Sequence, residues 1–323
     1  MTVWGVQSAL LSFLGLSKCA LLISSVDMKV MILGAGAVGA PLCTRLIGKC
    51  DLSLLMDDER KARYEGINVN GVHYDVPLAG REEKADVMIF ACKNFDLAKA
   101  ILTAEPHVKD GTIVISLLNG VVSELLLKDA FPRATVLYAF ITSLSSTRHG
   151  NNIECFSENG GVIFIGAGCD AELGALSRVT TLFDECSVTY RVPEDIRHEI
   201  WWKFMLNTAF NTLSAILQTS YRQMYDNKHL LEVASMVISE VRETAAAEGI
   251  TLTEEDGKRA IDTITALHDD GKTSMHQDVE AGRETENRWF AGAVSVMGKK
   301  HEIATPVCDL LFHLLEAKSH AQK

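Results

Sequence analysis

The sequence predicts an α/β fold: a doubly wound, mostly parallel sheet over residues 28–193, followed by an all-helical domain over residues 194–323. Three observations predict it. "KVMILGAGAVGAPLCTRLIG" runs from a short apolar strand through a glycine-rich turn into a helical pattern. Short β-rich runs then alternate with polar or helical segments as far as Pro193, the pattern of a sheet buried on both faces. Beyond Pro193 the periodicity is helical throughout. A chain of 323 residues also exceeds what one core usually serves, so two domains are the default.

Taken in order, "KVMIL" opens the sheet at Met28, and "AVGAPLCTRLIG" has a helical repeat closing on Gly48. "LSLLM", "DVMIFACK" and "TIVISLLNG" are further buried strands. "GINVNGVHYDVPL" alternates around Asn70-Gly71 and reads as a hairpin. "TVLYAFI", "NIECF", "GVIFIG" and "SVTYRV" complete the strands. Three long helical patterns follow, beginning at "PEDIRHEIWWKFMLNTAFNTLSAILQ"; the last stretch, from Ser274, is helical with breaks at Gly282 and near Thr305-Pro306.

Charge and cysteine usage narrow the function classes. A formal net charge of −11 argues against nucleic acid or an anionic membrane as the main partner. The eight cysteines include no C-x-x-C pair and no zinc spacing, so we expect reduced thiols, no metal and a cytoplasmic protein. Residues 1–27 are apolar, but they lack a basic n-region and Lys18 interrupts them. They read as an N-terminal extension of unclear role.

"LGAGAVGA" carries G-x-G-x-x-G at Gly34, Gly36 and Gly39, between a strand and a helix as dinucleotide binding requires. Gly34 permits the turn, Gly36 lets the backbone approach a pyrophosphate, and Gly39 packs helix on strand. With Ala35, Ala37 and Val38 they form the expected cofactor loop. At the end of the second strand, Asp57 or Asp58 fits the ribose hydroxyls of NAD(H). Arg60 and Lys61 fit a 2′-phosphate equally well, so the residues leave NAD versus NADP open. Lys93 and Asn119 stand at the carboxyl ends of two more strands, where ligands of open α/β sheets bind.

In "WWKFMLNTAFN", Lys203, Asn207 and Asn211 fall at i, i+4 and i+8 and share one helix face among large apolar residues. Alone, such a stripe is most often a solvated surface.

The chain resembles the ketopantoate reductase (2-dehydropantoate 2-reductase) family, with a Rossmann domain and a helical domain of the 6-phosphogluconate dehydrogenase type. The resemblance runs from Met28 nearly to the end and rests on "ILGAGAVG", "ACK", "LLNG", "WWKFMLNTAFN" and "TSMHQDVEAGRETE". It implies Lys203 as the general acid that protonates a keto oxygen, accompanied by Glu286. It implies that Asn207, Asn211 and Ser274 hold the substrate and that Lys93 and Asn119 lie where cofactor and substrate meet, with Asn119 touching both. It implies NADP(H) as cofactor and reduction of 2-dehydropantoate to pantoate, or of another branched 2-keto acid as the alternative, in a monomer or homodimer. The chemistry agrees, because hydride attack on a ketone builds negative charge that an ammonium stabilises and then neutralises. A sensor that had lost catalysis would need only the glycine loop.

Ser274 and Gln277 form an S-x-x-Q capping box that would start a helix. A continuous helix would leave Glu286 about 18 Å from Ser274 at 1.5 Å per residue, so the chain must turn, with Gly282 and a fresh cap at Thr285. Leu118, Thr212, His276 and "NRWF" depart from the family's usual residues. They put the substrate, rather than the reaction, in question.

Overall fold

The computed structural model describes residues 27–157, 160–267 and 270–321. The N-terminal extension, except for Asp27, lies outside them. The first strand, β1 (Lys29–Leu33), is buried along nearly its whole length and leads through the glycine turn into α1 (Gly39–Leu46). Then come β2 (Asp51–Leu55), the short helix α2 (Asp58–Lys61), β3 (Ile67–Val69), β4 (Val72–Tyr74), β5 (Val87–Phe90) and α3 (Leu97–Ala104). After these follow β6 (Ile113–Ser116), α4 (Ser123–Ala130), β7 (Thr135–Thr142), β8 (Ser146–His149), β9 (Asn152–Cys155), β10 (Val162–Gly166), α5 (Leu173–Cys186) and β11 (Tyr190–Arg191).

Seven of these strands form one sheet in the order β11-β10-β7-β6-β5-β1-β2. β2, β1, β5, β6 and β7 run parallel, while β10 returns antiparallel against β7. The chain leaves β1 toward β2 on one side and comes back to β5 on the other. That reversal opens a crevice beyond the carboxyl ends of β1 and β5, the place such sheets use for ligands. Separate apolar clusters, one containing Val30, Ile32 and Ile89 and the other Met31, Met88 and Phe90, cover the two faces of the sheet. This two-sided burial explains why its strands read as unbroken apolar runs.

Two strand readings need refinement. The Asn70-Gly71 hairpin forms with both turn residues at positive φ (51° and 76°), but β3 and β4 join β8 and β9 in a separate four-stranded sheet. "SVTYRV" supplies only two residues of strand, Tyr190 and Arg191.

From Asp195 onward every element among the described residues is helical: α6 (Ile196–Leu217), α7 (Tyr221–Tyr225), α8 (Lys228–Ala247), α9 (Glu254–Thr265), α10 (Ser274–Glu280), α11 (Ala291–Lys300) and α12 (Pro306–Ala321). Asp195 caps the first of them by accepting from the His198 N–H. α6 is the axis of this half. Phe204, Met205, Phe210 and Leu213 anchor a second core shared with Val237, Val241 and Phe290. Phe140 of the sheet packs with Ile196 and Ile200 to join the halves.

The expected cap at Ser274 sits one residue earlier. Thr273 accepts from the His276 N–H, and Gln277 donates to the Lys272 carbonyl. Gly282 does turn the chain, with φ at 62°, but Thr285 caps nothing; a 3-10 turn, Asn287–Trp289, begins directly after Glu286.

Candidate active site

The glycine loop has the shape a dinucleotide needs. Gly34 takes φ of 101° and lies so close to the Ala91–Cys92 backbone that a Cβ there would stand 2.6 Å from the Ala91 oxygen. At Gly39 a Cβ would fall onto the carbonyl oxygen of Gly34, so side chains are excluded at both places by the protein itself. Gly36 differs: a Cβ there would have no neighbour within 4 Å. Its smallness serves nothing inside the chain, as expected of the residue that a pyrophosphate approaches. No side chain caps the start of α1, which leaves that helix end suited to an anion.

Beside the loop, Gly34, Asp57, Arg60, Cys92, Asp96, Lys99 and Thr103 line a narrow cleft. Asp57 accepts from the Arg60 N–H (2.9 Å) and pairs with Lys99 (2.9 Å), which holds its carboxyl below the ordinary range. Arg60 also reaches Asp96 at 3.1 Å. Asp58 is exposed on α2 and does not line the cleft.

Lys93, Asn119, Lys203 and Glu286 converge where α6 meets β7. Lys203 Nζ donates to Asn119 Oδ1 (3.0 Å) and to the carbonyl of Ile141 (2.8 Å), and lies 5.2 Å from the centre of the Phe140 ring. Desolvation in this setting lowers its pKa to about 8, against the opposing pull of Glu286 and Glu124. The solvated-surface reading of this stripe is therefore excluded at its first member. Asn207 and Asn211 are 8% and 7% exposed, and their side chains have no hydrogen-bond partner among the described residues. Two nearly buried amides with unused donors and acceptors suit a ligand.

Glu286 does not touch Lys203; Asn119 stands between them. Its Nδ2 donates to Glu286 Oε2 at 3.4 Å while its Oδ1 accepts from the lysine. Lys93 reaches the same Oε2 at 3.4 Å and Asp278 at 3.0 Å. The other Glu286 oxygen accepts from the backbone N–H of Asn94 (3.1 Å) and from Asn94 Nδ2 (2.8 Å). Ser274, the exposed first residue of α10, joins none of these contacts; from the same helix it is Asp278 that enters the network.

Comparison with known proteins assigns the chain a family. The ketopantoate reductase PanE/ApbA family model matches residues 30–168, and its C-terminal companion matches residues 195–319. The chain belongs to the ketopantoate reductase family. It is thus an oxidoreductase. The 2-dehydropantoate 2-reductase of Pyrococcus abyssi (strain GE5 / Orsay) is 25% identical over 299 residues, 90% of this chain and 98% of the relative. That of Archaeoglobus fulgidus is 26% identical over 302 residues, 89% and 96% respectively. Among solved structures, D-mandelate dehydrogenase with NADH and anilino(oxo)acetate superposes with a TM-score of 0.80 at 23% identity, over 91% of this chain and 99% of that one. The PanE/ApbA family ketopantoate reductase of Ralstonia eutropha JMP134 gives 0.75 at 24% identity, with the same coverage.

Within this ketopantoate reductase framework, sequence reasoning missed Asn94, Asp278 and the carbonyl of Ile141. Asn94 follows Lys93 directly and had the same signal, a polar residue just past a strand end. Asp278 had a helical one, lying i+4 from Ser274. A backbone carbonyl leaves no trace in a sequence.

Proposed function

We propose that this protein reduces a 2-keto acid at the expense of NAD(P)H, with 2-dehydropantoate as the substrate and Lys203 as the proton donor. The observation that supports this reading best is the setting of the Lys203 ammonium. It is fixed by Asn119 and Ile141 and desolvated to about 8, so it stays charged at neutral pH yet gives up its proton readily.

The glycine loop fits the cofactor, with room over Gly36 and an uncapped helix end at α1. Bound there, a reduced nicotinamide supplies the hydride. Arg60 and Lys99 at the ribose end favour a 2′-phosphate, consistent with NADPH; Asp57 in the same cleft favours an unphosphorylated ribose. Asn207 and Asn211 lie one and two turns along α6 from Lys203 and orient the substrate's polar groups. Lys203 lends a charge-assisted hydrogen bond to the keto oxygen, stabilises the developing alkoxide and then transfers its proton to that oxygen. Glu286 keeps Asn119 in place, and with it the lysine.

The test is a cofactor-oxidation assay with NADPH and with NADH over a panel of 2-keto acids, 2-dehydropantoate among them. The expected result is kcat/KM highest for 2-dehydropantoate with NADPH. A higher value for another branched 2-keto acid would replace the substrate and keep the chemistry. Absence of turnover with every pair, alongside intact cofactor binding, would overturn the reading in favour of a non-catalytic dinucleotide sensor.

A further inference from the structure

The reaction as described leaves one buried acid unused. Glu124, in the first turn of α4, is 3% exposed and lies in the α/β half. Its Oε2 accepts from Ser123 Oγ at 2.9 Å, and Ser123 Oγ lies 2.8 Å from Ser116 Oγ at the end of β6. The carboxylate also lies against the backbone N–H of Ala139. Ala139 and Ile141 are alternate residues of β7, and the Ile141 carbonyl is the one that holds Lys203. Glu124 and Lys203 thus approach the same stretch of strand from different elements. The loop between β6 and α4 ties them a second time, since it carries Asn119, the lysine's other partner, five residues before Glu124.

We propose that Glu124 is a positioning residue for the reduction, a buried carboxylate that holds the charge of Lys203 from the sheet side while Glu286 does so from the helical side. The inference rests on Lys203 being the proton donor.

The charged groups around the pair are few. Lys203 feels Glu286, whose other cation is Lys93 with Asp278 behind it, and Glu124. Glu124 feels Lys128 on its own helix, and Lys128 is itself engaged by Glu172 (3.2 Å) and by the Tyr138 hydroxyl (3.5 Å). Burial pushes the Glu124 carboxyl up to about 7, against the Ser123 and Ala139 hydrogen bonds and Lys128. Below neutrality it is largely uncharged and exerts little pull on the lysine. Above neutrality it ionises, and the lysine then keeps its proton to a higher pH than burial alone allows. The carboxylate thereby extends the working range at the alkaline end, where a desolvated lysine would otherwise fail.

The test measures the full-length protein in two ways. The first is the Lys203 titration itself, followed by the ¹³Cε shift of labelled lysine, with Lys203→Ala to assign the signal. The second is the pH profile of kcat/KM for 2-dehydropantoate reduction with NADPH. Glu124→Gln should move both the Lys203 midpoint and the alkaline limb to lower pH by about half a pH unit, because a nearby negative charge is gone. Ser123→Ala, which removes the hydrogen bond favouring the ionised acid, should move them the same way by less. It also serves should the glutamine variant fail to fold. A folded variant with the Lys203 midpoint and the limb unmoved would overturn the proposal and leave Glu124 a structural acid. An inactive wild type would overturn the functional reading instead, while the ¹³C titration would still decide on Glu124.

Discussion

Replacing Glu286 by glutamine isolates the charge that reaches Lys203 through Asn119. The two hydrogen bonds, 3.0 Å and 3.4 Å, and the amide between them keep the charges apart without contact. At an effective dielectric of about 20, unit charges roughly 7 Å apart interact by about 2.4 kcal/mol, or nearly two pKa units. Lys93 lies 3.4 Å from the same carboxylate oxygen and offsets part of this, so the expected change is about one unit. The sign follows from the proton's role. Glu286 favours the ammonium, its loss lowers the lysine from about 8 to about 7, and the donor is then missing at lower pH. Steady-state kcat/KM for reduction, read from cofactor absorbance, should be unchanged at pH 6, about twofold lower at pH 7 and about fivefold lower at pH 8. An alkaline limb at the wild-type position would refute the electrostatic link and reduce Glu286 to a scaffold for Asn94. A uniform loss at all pH values would do the same.

Lys203→Ala should lower kcat by about 10²-fold or more while the dissociation constant for NADPH, measured by calorimetry, stays near wild type. Gly36→Ala should leave Tm unchanged and weaken cofactor binding, because its Cβ meets nothing in the protein. Gly39→Ala should lower Tm as well, since its Cβ falls onto the Gly34 carbonyl; equal Tm for both variants would refute the distinction. Asp57→Asn should shift the ratio of NADPH to NADH kcat/KM toward NADPH, whereas the exposed Asp58→Asn should not move it.

What was legible in the sequence was local. The glycine loop could be read because strand, turn and helix are contiguous, and the lysine–asparagine stripe because helical spacing is fixed by 3.6 residues per turn. Lys93 and Asn119 were legible as polar residues interrupting apolar strand ends. The partnerships among them were not. Lys93 meets Asp278 across 185 residues and Asn94 meets Glu286 across 192, separations over which a sequence carries no geometry. Capping erred for a related reason. Thr273 and Ser274 are both competent caps, and the choice between them depends on where the chain arrives from Lys272. Glu124 reads as an ordinary acid in the first turn of a helix, and only packing reveals that it is shut away from water.

The carboxylate of Glu286 has a consequence for how this protein tolerates change. In many enzymes the functional residues are a burden on the fold, held in place against their own repulsions, and their removal makes the chain sturdier. Here three side chains of the sheet half, Lys93, Asn94 and Asn119, all end on one acid of the helical half. The groups that would perform the chemistry are therefore also the seam between the two bodies. A variant that loses Glu286 leaves the buried Asn94 N–H without its partner and the Asn94 amide with the Asn119 carbonyl alone, so it should lose cohesion together with activity. Drift at this position is then opposed twice, once by turnover and once by folding. An exchange of helical halves between relatives would succeed only where Asp278 and Glu286 travel with the incoming half.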